Sequence, residues 1–75
     1  MSHIDPYLRH MLADGIRLVP MLVRVYDLED IPSILNAPEC VPGTVIGNIF
    51  TCRGTQKTIE VFANDLRIFS VEASR

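Results

Sequence analysis

The stretch from Thr44 to Val71, TVIGNIFTCRGTQKTIEVFANDLRIFSV, decides the fold class. It holds three runs rich in β-branched and aromatic residues: Thr44 to Cys52, Lys57 to Ala63 and Leu66 to Val71. Such residues suit a pleated, half-buried surface, so each run predicts a strand. Arg53-Gly54-Thr55-Gln56 is a glycine-containing loop of hairpin length, and Asn64-Asp65 is a tight polar reversal. In the second run Ile59 and Val61 alternate with Thr58 and Glu60, and in the third Leu66 and Ile68 oppose Arg67. Short strands joined by turns predict an antiparallel meander.

Upstream, Ile16 to Tyr26 is apolar and β-branched with no helical period. Val19, Met21, Val23 and Val25 share one face of a strand, and Leu18, Leu22 and Tyr26 share the other with Arg24. Two largely apolar faces predict burial on both sides. Pro20 cannot donate to a ladder and points to an edge or a bulge. Before this strand, Asp5 is a good N-cap and Pro6 suits the first helical position. Tyr7, Leu8, Met11 and Leu12 make one apolar stripe, and Gly15 can end the helix in a left-handed conformation. Between strand and meander, the acidic Asp27, Glu29 and Asp30 lead into one helical turn around Ile31 to Asn36. Pro38 and Pro42-Gly43 then enforce an irregular, solvated connection. The expected fold is α+β: a short N-terminal helix packed on a small antiparallel meander of four or five strands, able to curl into a partial barrel. Residues 1–75 form a single domain.

Composition bounds the function. A 75-residue chain has much surface per unit volume, yet 48% of it is hydrophobic and only 21% charged. Apolar residues in excess of what a small core can hold remain exposed, and association covers them. The expectation is a non-enzymatic interaction or regulatory module that self-associates through apolar strand surface. A homo-oligomer is the expected state, and a different protein partner is an open alternative. Phe50, Phe62, Phe69 and Val71 are the candidate interface residues, with completion of the core as the alternative role of the three phenylalanines. A net charge of −2 and a pI near 5.5 oppose non-specific nucleic-acid binding, which rests on neutralising phosphates. No apolar run approaches the roughly 20 residues of a membrane-spanning helix.

Two cysteines, Cys40 and Cys52, are too few for a disulfide scaffold. Met1 to Pro6 lacks a secretory n-region and apolar core, so reduced thiols in the cytoplasm are expected. Structural zinc uses close ligand pairs, and Cys40, Cys52, His3 and His10 are dispersed. No cofactor is expected. A small thiol- or metal-dependent protein using Cys40 and Cys52 is the remaining chemical alternative. The acidic trio lacks the ligand alternation and central glycine of a calcium loop and reads as a charged turn.

The segment from Val61 to Val71, VFANDLRIFSV, resembles the second signature of Sm-like proteins, a strand, a tight polar turn and a final strand. Asp5-Pro6-Tyr7-Leu8 is similar to the start of the N-terminal helix of the bacterial Sm-like RNA chaperones. The resemblance implies a six- or seven-membered ring that binds single-stranded RNA. In it Arg53, Lys57 and Arg67 would meet phosphate, Phe62 would stack on a base and Asn64 would hydrogen-bond to it.

Overall fold

Val19–Val25 forms the central strand, β2, of a five-stranded sheet in the computed structural model, which describes residues 3–74. Before it come a two-residue strand β1 (His3–Ile4) and the helix α1 (Tyr7–Ala13). After it the chain makes a 3-10 turn at Leu28–Asp30 and a one-turn helix α2 (Ile31–Ile34). The hairpin strands β3 (Val41–Ile46) and β4 (Ile49–Gly54), the helix α3 (Gln56–Ala63) and β5 (Ile68–Ala73) complete it. The class is α+β, as expected.

The connections differ from a meander. The strand order is β1-β5-β2-β4-β3, and only β3 and β4 are neighbours both in sequence and in the sheet. β4 lies antiparallel between β2 and β3, and β2 lies antiparallel between β4 and β5. The crossovers from β2 to β3 and from β4 to β5 therefore each join two parallel strands across an intervening one, the split β-α-β arrangement, whereas α1 joins two antiparallel strands, β1 and β2, across β5. β1 adds a parallel edge beside β5, which makes the sheet mixed. The sheet is open, with β1 and β3 at its edges; it does not curl into a barrel.

The largest correction concerns Lys57 to Ala63, expected as a strand and folded as α3. Its apolar residues fit either period. Ile59 and Val61 alternate, but Thr58, Ile59 and Phe62 also fall on one helical stripe, and these three are buried. Local hydrogen bonding favours the helix. The Thr55 N–H donates to Thr58 Oγ1, and Thr55 returns its own oxygen to the Thr58 backbone, a reciprocal capping box. The Gln56 amide also reaches Glu60 one turn on. Gly54 is thus the last residue of β4 rather than part of a hairpin loop. The true hairpin turn is Gly47-Asn48, with Gly47 at φ +59.

Burial follows the alternation of β2. Val19, Met21, Val23 and Val25 are all buried, whereas Leu22 is half-buried and Arg24 exposed. The strand is covered on one side only, contrary to the two-sided burial expected of it. Phe50 and Cys52 lie opposite Val23 and Met21, and Val71 lies opposite Val23 from the other side. Leu8, Ile31, Ile34, Ile59 and Phe62 from the three helices join them in one cluster. All helices therefore cover the same face. Pro20 is not on an edge strand. It sits where pairing with β5 is running out, the last pair there being Met21 with Ala73.

Other local expectations hold. Asp5 accepts the Tyr7 N–H at 3.0 Å at the start of α1, and Gly15 adopts φ +85 after its end. Asp27 to Gly43 contains the expected helical turn, but Ile31 and Ile34 anchor it in the core, and Val41, Pro42 and Gly43, expected in an irregular connection, belong instead to β3, where Pro42 pairs with Cys52.

Gly54 lies under α3 so closely that a Cβ there would stand 2.6 Å from Thr58 Cβ. Overpacking at such a contact costs about 1–3 kcal/mol. Gly54→Ala is expected to lower the stability measured by urea denaturation by that amount, whereas a wild-type midpoint would show that α3 is free to shift.

Candidate interaction surface

The face of the sheet turned away from the helices has no covering layer among the described residues. Register fixes its occupants. Glu72, Leu22 and Thr51 form one row across β5, β2 and β4. Ser70, Arg24, Ile49 and Ile46 form the next, reaching β3. Pro20, Arg53 and Val41 form a third. Leu22 and Ile49 are half-buried at its centre, and Ile46 is 74% exposed at its edge.

A bulge shapes one end. Val25 pairs with Ile68 and Arg24 with Ser70, which leaves Phe69 as an extra residue in β5. Its ring packs edge-on against Tyr26 at 5.6 Å and against His3 at 6.2 Å. Tyr26 remains 69% exposed and Phe69 39% exposed. The result is an apolar, partly aromatic surface bearing Arg24, Arg53 and Glu72, none of which has an ion-pair partner among the described residues.

The sequence-derived interface residues divide. Phe50 and Phe62 form an edge-on pair at 6.2 Å inside the core, and Val71 is buried beside them. Only Phe69 of the four is at the surface. Leu22, Ile46, Ile49 and Tyr26 were missed because their face became legible only with the register. The RNA-contact residues do not converge. Arg53 is on the open face, Lys57 is on α3, and Phe62 is in the core. The Asn64 amide donates to the Glu60 carbonyl at the end of α3. Arg67 is held by Asp65 at 2.8 Å and donates to Ser33. The hydrogen bonds from Arg67, with its charge, keep the Asp65 carboxyl below its ordinary range. The strand–turn–strand geometry implied for Val61 to Val71 is instead a helix end, a turn and β5.

Cys40 and Cys52 are free thiols and neighbours, for Cys52 lies opposite Pro42, two residues beyond Cys40. Burial pushes both thiols up, and Cys52 is raised further by the adjacent Cys40. His3 on β1 is three strands from Cys52, about 14 Å by strand spacing alone. No three His, Cys, Asp or Glu side chains gather as a metal site among the described residues. Nor is any described helix long and apolar enough to cross a membrane.

Because both thiols titrate above their ordinary value, alkylation by iodoacetamide at pH 7 is expected to be slower than for a free cysteine. It should accelerate about tenfold per pH unit up to pH 9, with half-buried Cys40 modified before buried Cys52. Mass spectrometry of timed samples reads this directly; rapid labelling of Cys52 at pH 7 would contradict it. No protein-family model, curated protein or solved structure matches this chain.

Proposed function

We propose that this chain is a non-enzymatic interaction module that self-associates, two copies packing open sheet face on open sheet face. The observation that carries the reading is the apolar surface formed by Leu22, Ile46, Ile49, Tyr26 and Phe69 on the side opposite the core. Its size suits a weak, reversible pair. Four strands of six or seven residues and the two-residue β1, about 4.8 Å apart, span about 430 Å². Two copies then bury about 850 Å², the range of transient contacts. Its charges support a two-fold arrangement. A surface bearing both Arg24 or Arg53 and Glu72 can set each sign against the other across an isologous contact.

A second reading rests on the same surface. Exposed Tyr26, Phe69 and His3 near Arg24 supply rings for base stacking and a cation for phosphate, which suits single-stranded RNA.

Sedimentation equilibrium distinguishes these. The wild-type chain is expected at twice its monomer mass, and Leu22→Lys with Ile49→Lys is expected at monomer mass with an unchanged circular dichroism spectrum. A wild-type monomer at millimolar concentration would overturn self-association. Binding of labelled single-stranded RNA that weakens steeply with salt would favour the second reading instead.

A further inference from the structure

The helical side carries a feature independent of the open face. Leu12 and Ala13 of α1 and Ile59 and Ala63 of α3 line a cleft of about 580 Å³ floored by Ile4. Helices that pack side by side normally fill the seam between them with interleaved side chains. Alanine on both walls is too short to do so, and Ile4 and Leu12 stay half-buried in the opening. The volume falls within the range of small-molecule sites, which are mostly apolar with a few polar groups at fixed places.

The polar groups here are Arg9, Gln56 and Glu60. Glu60 accepts the Gln56 amide at 3.3 Å. Arg9 is exposed and has no carboxylate partner among the described residues. Gln56 also begins α3, whose first-turn N–H groups present partial positive charge. Arg9 and Glu60 give the cleft one charge of each sign, and Glu60 already accepts a hydrogen bond whereas the Arg9 guanidinium has no partner among the described residues. We propose that the α1–α3 cleft binds an apolar monocarboxylate, its chain lying between Ala13 and Ala63 and its carboxylate on the Arg9 guanidinium. Such a pairing takes two parallel N–H···O bonds and is stronger than a neutral contact.

The test is a titration of decanoate, decanol and decylamine into the full chain, each below its micelle concentration, followed by amide chemical shifts. Decanoate should bind about tenfold more tightly than decylamine, with shifts confined to α1, α3 and β1. Arg9→Gln should remove that preference while decanol binding persists. Ala63→Leu, which extends a side chain into the open cleft, should abolish binding of all three with the wild-type spectrum retained elsewhere. Equal or tighter binding of decylamine would overturn the proposal by making Glu60 the determinant. So would decanoate shifts centred on β3 and β4, an absence of binding, or undiminished decanoate affinity in Ala63→Leu. None of these readouts depends on whether the sheet faces associate.

Discussion

Val19, Met21, Val23 and Val25 all turn toward the helices, and β2 is paired along both edges. Those two facts constrain everything else. A strand held on both sides passes its facing to its neighbours, so Phe50, Cys52 and Val71 must point the same way. The three helices can then bury their apolar stripes on only that side. Leu22 and Arg24 of the same strand turn to the opposite face, where Arg24 is exposed. One strand thus separates a packed half of the molecule from an uncovered one.

Much of this was readable before the structure. The helix start at Asp5 and Pro6, the stop at Gly15, the β2 strand and the isolated helical turn at Ile31 each rest on local chemistry, and each is present. The failures share a cause. Over Lys57 to Ala63 the apolar residues satisfy two periods at once, and the cap that decides between them uses threonine at both ends of its box, outside the usual Ser/Thr-x-x-Glu/Gln pattern. Reading that helix as a strand moved the turn from Gly47-Asn48 to Arg53-Gly54-Thr55-Gln56 and turned two crossovers into a meander.

The candidate site was less legible for a related reason. Alternation tells which residues share a face, but not which face is covered. Both sides of β2 look apolar in sequence, and only the helices' common side separates core from surface. Large aromatics drew attention as interface candidates, yet Phe50 and Phe62 fill the middle of a small core that needs their volume. The exposed surface is made instead of aliphatic residues, of Tyr26 and of Phe69, which a bulge displaces from regular pairing.

The two margins of the sheet also differ from a bare ladder. On the β5 side, His3 and Ile4 run parallel to the strand, the Asp5 N–H donates to Val71, and the Asp5 carboxylate accepts the Ala73 N–H at 3.3 Å. On the other side, Pro42 has no N–H to donate and β3 breaks register between Pro42 and Val45. One margin ends in a strand of only two residues, and the other is warped. Crowded molecules meeting margin to margin find no straight template to copy, so end-on stacking into fibrils is discouraged by the same residues that finish the sheet.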